Sequence, residues 1–510
     1  MGRKRMKISA SQSEARGRSL FGQSSPMLCL LMLIVFATLV SCEKGFDELN
    51  KDPNVSGDIA ADELFSNAQF RYHTDYFNGV LTDIWSLNTW MQVQANINGI
   101  ASADDKYFIS GEATDNTWRI MYTDVLGNIN EAIRLTKDDA AKVNDYSMYR
   151  IYRAYIYHRL TDLWGHIPYS EALNVINSSN VPNFTPVYDD QSSIYTDLLA
   201  ELKNASNALD ENAATLGGQD WIYAGNVDLW KRFANSLRLR LAMRISSVAP
   251  SVAQEEISDL VQENRFITSN EESAEFPYSG VALNPFFQVD NQSQGQYHPS
   301  KFLVDKLLED NDPRIEVLIE PSPFSVIFGF NEYVGVESFL LSSSVPTDLE
   351  FNSSYIGEQM LSQDRPGNIL SAAEVQFLLA EVALKGWDAG GSAQSYYEGG
   401  VRSHMEQLLI VEEDIESYLN MGGAFTGEVE QVIVEKWKTL VYTDAVELYA
   451  EWRRTGFPII LDADQQAVTV SAIPVRLPYP QIEINLNADN VYAVGHGVND
   501  FSTPMWWDVD

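Results

Sequence analysis

The six histidines, His73, His158, His166, His298, His404 and His496, are the first places to look for chemistry. None stands in an HExxH pair or another zinc spacing. The chain has no GxSxG nucleophile elbow, no GxxxxGK[ST] phosphate loop and no GxGxxG turn. With 71 acidic residues, close carboxylate pairs are inevitable, so a glycosidase-like pair carries no weight from sequence alone. Two acidic clusters, Asp462-Ala463-Asp464 and residues 309–312, could draw calcium, yet neither follows the DxDxDG pattern. Solvated acid is the expectation there, and no metal or other cofactor is expected. What stands out instead is rings beside amides. Trp85, Trp90, Gln94 and Asn96 fall within residues 85–98, and Phe287, Gln288, Asp290, Asn291 and Tyr297 within residues 286–297. Aromatic rings stack on the apolar face of a pyranose, while amides and carboxylates bond its hydroxyls. These nine residues are the candidate ligand contacts, with Trp90 the first choice as stacking ring and Tyr297 the second. Core packing is the competing role for each ring.

The elements that must hold such loops are mostly helical. Residues 146–173 place Tyr149, Tyr152, Ile156, Leu160 and Leu163 at steps of three or four, one helical stripe. Gly165 then sits where a left-handed cap is needed, and Pro168 cannot continue the helix. This core helix is expected to organise the chain, and its end, residues 164–169, is a second candidate binding surface. Residues 59–78 read as helix, and residues 116–136 as one amphipathic helix carrying Trp118, Met121, Val125, Ile129 and Ile133. Further helices are expected over residues 192–209, 226–247, 251–264, 371–385 and 394–409, with a long one over 428–454. In residues 226–247, Arg232, Arg238, Arg240 and Arg244 flank an apolar stripe; on an acidic protein they are expected to be internal ion-pair partners. Composition turns to Pro, Ser, Gly and Asn over residues 271–368, where helix is expected only at Lys301–Glu309. The end, from Ile473, reads as loop. Several helices pair at roughly the 34-residue tetratricopeptide period, irregularly and with insertions.

Charge narrows the partners. The chain has 35 basic and 71 acidic residues. Residues 1–41 hold six of the bases and one acid, leaving 29 bases against 70 acids, a net charge of −41. Such a body is unsuited to nucleic acid or to an anionic membrane face. Residues 27–40 are uncharged and mostly apolar behind a basic stretch. They are too few for a bilayer span of about 20 residues, and read as a signal-peptide core. Leu39-Val40-Ser41-Cys42 follows, similar to a bacterial lipobox, so Cys42 is expected to carry a lipid. Cys29, the other cysteine, leaves with the signal, and neither a disulfide nor a cysteine metal site is expected.

Five motifs stand in order after this: Phe46-Asp47-Glu48-Leu49-Asn50-Lys51-Asp52-Pro53-Asn54; Asp162-Leu163-Trp164-Gly165-His166-Ile167-Pro168-Tyr169; Ala373-Glu374-Val375-Gln376-Phe377-Leu378-Leu379-Ala380-Glu381; Glu451-Trp452-Arg453-Arg454-Thr455-Gly456; and Ile473-Pro474-Val475-Arg476-Leu477-Pro478-Tyr479-Pro480. Together they resemble the SusD/RagB family of nutrient-binding outer-membrane lipoproteins of Bacteroidetes, in its SusD-like branch. His166 departs from the pattern, where the family more often has Asp; a local cap or ion pair is the feature at stake.

The resemblance implies a mostly α, SusD-like fold with four irregular tetratricopeptide-like helix pairs and a large loop-rich portion. In this chain that means a signal over residues 1–41, a lipidated tether over 42–58 and one domain over 59–510. The helical scaffold would lie mainly in residues 59–265 and 371–410, the loop-rich insert in 266–370 and a C-terminal region in 411–510. The implied role is non-catalytic. The lipoprotein captures oligosaccharide, or peptide in some members, at the cell surface and passes it to a SusC-like TonB-dependent barrel. A lipoprotein glycoside hydrolase and a pure assembly scaffold are the alternatives.

Overall fold

Val143–Trp164 packs against Gly127–Thr136, Gln191–Ala208, Val227–Arg244 and Ala445–Thr455. Of its 22 residues, 18 are buried, so the single-stripe reading was too narrow. The four that are not buried, Val143, Tyr146, Arg150 and Arg153, fall at steps of three or four on one face, and neighbours cover the rest of the helix. Gly165 ends it at φ +79°, ψ −111°, donating its N–H to Thr161 O at 2.8 Å. That conformation is open to glycine and lies outside the left-handed helical well the sequence pointed to. The turn after it is fastened to the C-terminal motif. Leu477 N–H donates to Leu163 O (2.9 Å), Trp164 Nε1 to Pro478 O (2.9 Å), and the Tyr479 hydroxyl to His166 O (2.8 Å).

The computed structural model describes residues 59–76, 86–97, 107, 111–173, 183–293, 295–338, 346–460, 473–495 and 500–509. Cys42, the tether and Trp85 lie outside the described residues, as does Asp462-Ala463-Asp464. Four helix pairs build the scaffold: Ala61–Arg71 with Gly127–Thr136, Val143–Trp164 with Gln191–Ala208, Val227–Arg244 with Pro250–Glu263, and Ala372–Leu384 with Ala393–Gln407. The segment read as one helix from 116 starts at Gly111 and passes through a π-helical stretch, Ile120–Leu126. Its stripe of Trp118, Met121, Val125, Ile129 and Ile133 is buried throughout. The long helix expected over 428–454 is two, Val429–Leu440 and Ala445–Thr455, separated where Tyr442 takes φ +56°. Asp444 caps the second by accepting from Glu447 N–H at 3.0 Å. The C-terminal stretch read as loop contains two short helices, Gln481–Leu486 and Ala488–Ala493. Helix Lys301–Glu309 falls where expected, capped by Ser300, but it is not alone in the loop-rich portion, which also holds Pro285–Ser293 and the shorter Ile315–Leu318, Pro323–Ile327 and Leu349–Asn352.

His166 does supply a cap. Its Nδ1 accepts from the backbone N–H of Gln191, the first residue of helix Gln191–Ala208. Burial is the main cause lowering its pKa, which keeps that nitrogen free to accept.

The described strands form four two-stranded antiparallel ribbons, three of them with a strand in the loop-rich portion and in part joining it to the scaffold. They pair Gln94–Asn96 with Tyr297–Pro299, Ile167–Pro168 with Tyr188–Asp189, Ala274–Phe276 with Gly367–Leu370, and Ile319–Glu320 with Tyr355–Ile356.

A chain of buried charges crosses the helices. Arg240 makes a two-pronged pair with Glu374, 2.7 Å on each side. Arg244 holds Glu451 and, at 2.6 Å, Glu447, with Asp162 at 3.4 Å. Lys436 lies 3.2 Å from both Glu447 and Glu451, and Arg454 bridges Glu381 and Glu451 at 2.7 Å. Arg159 pairs with Asp444 at 2.7 Å. Arg240 and Arg244 are therefore internal ion-pair partners, as the sequence predicts. Arg238 is also buried and pairs with Glu256, so it too is internal, whereas Arg232 pairs nearer the surface with Asp228.

Candidate binding site

Ribbon Gln94–Asn96 with Tyr297–Pro299 brings the two ring-and-amide stretches together across some 200 residues of sequence. Asn96 stands opposite Tyr297 and Gln94 opposite Pro299. The join extends at both ends: Ile97 N–H donates to Gln296 O (2.9 Å) and Ser300 N–H to Val93 O (3.1 Å).

Within that join the side chains divide. Trp90 is fully buried, edge-on to Tyr107 at 6.1 Å and to Tyr449 at 5.9 Å. A pyranose cannot reach its faces in this structure, so the first-choice stacking ring is a core residue, for the reason that composition does not say which way a ring points. Gln94, Asn96 and Tyr297 are buried too, with Gln94 Nε2 3.5 Å from Thr89 Oγ1. Their backbones form the ribbon. Phe287, Gln288 and Asp290 are half-buried on helix Pro285–Ser293. Asn284 starts that helix, accepting from Phe286 N–H at 2.8 Å and donating to Arg365 O at 2.7 Å. Gln288 donates to Leu283 O at 3.0 Å, and burial raises the Asp290 carboxyl above its ordinary pKa. Asn291 belongs to the same helix, with its side chain outside the described residues.

A larger concavity lies elsewhere. A cleft of about 580 Å³ opens beside the end of the central helix, lined by Asn130, Arg153, Tyr157, Tyr169, Ser170 and Asp197 among others. Tyr157 and Tyr169 meet edge-to-face at 4.7 Å. The Tyr169 hydroxyl donates to Asp197 at 2.5 Å, and Arg153 donates to Asn130 at 3.2 Å and to Glu201 at 2.8 Å. The sequence points to Tyr169 through the end of the central helix. It does not point to Asn130, Arg153 or Asp197, which come from three helices with no shared motif. The i, i+4 spacing of Arg153 and Tyr157 is the signal that puts both on one face.

The geometry for a metal is poor. His158, Asp162 and Glu447 approach within 4.8 Å of one another, yet Arg244 and Lys436 already neutralise Asp162 and Glu447. Asp310 and Asp312 are in the same position: Lys438 lies 2.7 Å from Asp310 and 3.0 Å from Asp312, and Arg314 lies 2.6 Å from Asp312. Side-chain cations stand where calcium would.

A family profile described as "Starch-binding associating with outer membrane" matches residues 53–480. Among curated proteins there is no match of comparable significance. Solved structures are similar over nearly the whole chain. A chitin-binding protein is 28% identical, with 88% of this chain and 100% of its own covered and a TM-score of 0.78. A chitin-binding SusD homolog from Flavobacterium johnsoniae is 26% identical, covering 88% and 99%, with a TM-score of 0.74. A SusD homolog from Bacteroides uniformis is 27% identical, covering 89% and 100%, with a TM-score of 0.72.

Proposed function

The chain belongs to the SusD-like family, and from that premise we propose that it is a non-catalytic, cell-surface lipoprotein that captures an oligosaccharide and delivers it to a SusC-like TonB-dependent barrel. The observation that carries the ligand class is the agreement of the comparisons. The family description names starch, and two structural relatives above a quarter identity are called chitin-binding. Both polymers are chains of pyranose rings, which favours oligosaccharide over peptide. The anchor is proposed at Cys42. Among the described residues no helix is long and apolar enough to cross a membrane, consistent with attachment by lipid.

Calorimetry against chitohexaose and maltohexaose, with chromatography of the incubated sugar, tests the reading. Binding of at least one sugar with the sugar recovered intact is expected. Shortened products would make the protein a hydrolase, and silence against a broad glycan array would leave the scaffold reading.

For the contacts, the reading rests on the half-buried members of the predicted set, Phe287, Gln288 and Asp290, rather than on the buried Trp90. Phe287→Ala is expected to weaken sugar binding by about 1–2 kcal/mol, roughly five- to thirtyfold, at an unchanged thermal midpoint. Unaltered affinity would move the site away from helix Pro285–Ser293, with the cleft at Tyr157 and Tyr169 as the next place to substitute.

A further inference from the structure

The loop after Ser322 presents apolar side chains outward in a continuous run. Phe324, Val326, Ile327, Phe328 and Phe330 are exposed, Ile327 by 67% and Phe328 by 61%, and Phe351 joins them from helix Leu349–Asn352. Phe324 lies 4.7 Å from Phe328 and 5.9 Å from Phe351. A cluster of this kind on a strongly charged protein marks an interaction surface.

The mount is rigid. Ser325 is buried and staples the loop: its hydroxyl donates to Ser322 O at 2.8 Å and accepts from Glu332 N–H at 3.1 Å. Ser322 N–H donates to Glu332 O at 3.0 Å, and Phe330 N–H to Ser325 O at 2.8 Å. Farther on, Val336 exchanges backbone hydrogen bonds with Pro299 and Lys301, so the loop is tied to ribbon strand Tyr297–Pro299. Polar backbone groups are satisfied inside the loop, and the side chains are left to face outward.

Charge and geometry together select the occupant. Between Arg314 and Arg365 the sequence has no Lys, Arg or His and has eight acids, of which Glu320, Glu332, Glu337 and Glu350 are exposed. A second copy of this chain would set those acids against their like, and an anionic lipid surface would repel them in the same way. A glycan needs a ring face laid parallel to its own. Here the rings are inclined at 45° and 87° to one another and offer no common plane. A protein face with an apolar socket and a basic margin meets both the knob and its rim.

We propose that this phenylalanine loop is the surface by which the chain seats on its membrane-protein partner, whose matching face is apolar at the centre and basic at the edge. The proposal rests on the transporter reading above and adds to it the docking surface.

The test places the photo-crosslinking residue benzoylphenylalanine at Phe328 in the full-length, membrane-attached protein, with Val281 as an exposed control outside the loop. Mass spectrometry of the adducts is expected to find an outer-membrane β-barrel transporter from position 328 and none from 281. Adducts to a second copy of this chain, to lipid, or to nothing would overturn the docking surface while leaving the transporter reading intact, provided that the wild-type protein still co-purifies with a barrel. Failure of the wild type to co-purify with any barrel would overturn both. As a second measurement, the double variant Ile327→Asp, Phe328→Asp is expected to recover less barrel by about tenfold or more, with sugar affinity and thermal midpoint unchanged. Unreduced recovery would count against the surface.

Discussion

Arg244→Met is expected to destabilise the protein by about 3–5 kcal/mol, because it removes one side of a buried ion network and leaves the other charged. Arg244 is fully buried and is the cation closest to Glu447 and Glu451. Once it is gone, Asp162 has lost the Arg244 charge, and Arg240, Lys436 and Arg454 must serve four acids, Glu374, Glu381, Glu447 and Glu451. Water cannot compensate in that interior, so the cost is that of stranded carboxylates rather than of one hydrogen bond. Arg134→Met supplies the contrast, since its pair with Glu131 is exposed and screened by water, and it is expected to leave the midpoint near wild type. Urea unfolding of the two variants beside the wild type measures the difference. An Arg244→Met midpoint as close to wild type as that of Arg134→Met would show that the network contributes nothing to stability.

Acid should weaken the fold in two stages. His73, His298 and His404 are all buried. Burial lowers the pKa of His73 to about 3, helped by the nearby Arg159 charge; that of His298 to about 4, against backbone hydrogen bonds that raise it; and that of His404 to about 3, helped by Arg314. Each is neutral in the folded chain and takes up a proton on unfolding once the pH is below the ordinary value near 6.5. The unfolded state then binds more protons, so stability falls with pH in that window. From pH 7 to pH 5 the loss is about 2 kcal/mol per histidine, about 5–6 kcal/mol for the three. The second stage belongs to carboxylates. Glu447 is lowered to about 2, with Arg244 and Arg240 overcoming the cost of its burial, and Glu451, Asp162 and Asp312 are lowered as well. Their contribution is complete above their unfolded values near 4 and disappears as the pH falls through the folded ones. Urea midpoints at pH 7, 6 and 5, with proton uptake followed on unfolding, check the first stage. Equal midpoints at pH 7 and pH 5 would mean that these histidines are not held neutral.

The scaffold was legible because its residues repeat or recur as motifs. Helix Lys301–Glu309, the helices near 226–247 and 371–385, and the arginines on the first of these follow from periodicity and charge. Of the motifs that carried the family resemblance, the four within the described residues supply the ion network and its fastenings. Glu374 and Glu381, Glu451 and Arg454, and Asp162 supply charges, while Arg453 donates to Asp162 O at 2.7 Å. Less visible were features set by tertiary contact. The break at Tyr442 carries no Gly or Pro, and the π-helical stretch at Ile120–Leu126 leaves the apolar spacing readable as ordinary helix. The candidate site was legible in part. Composition located two stretches that do meet in space, and it does not show that Trp90 is buried, since a ring flanked by amides reads the same whether a distant Tyr449 covers it or water does.

The ion network also bears on how the chain is made. Arg240 and Arg244 emerge early, but Arg240 waits for Glu374, and Arg244 waits for Glu447 and Glu451. Until those residues have been synthesised, closing the interior would bury positive charge with little to oppose it, so a nascent chain gains nothing by collapsing there. The interior thereby acts as a check on completeness. A polypeptide interrupted before helix Ala445–Thr455 lacks Glu447 and Glu451 and is expected to stay open and within reach of proteases.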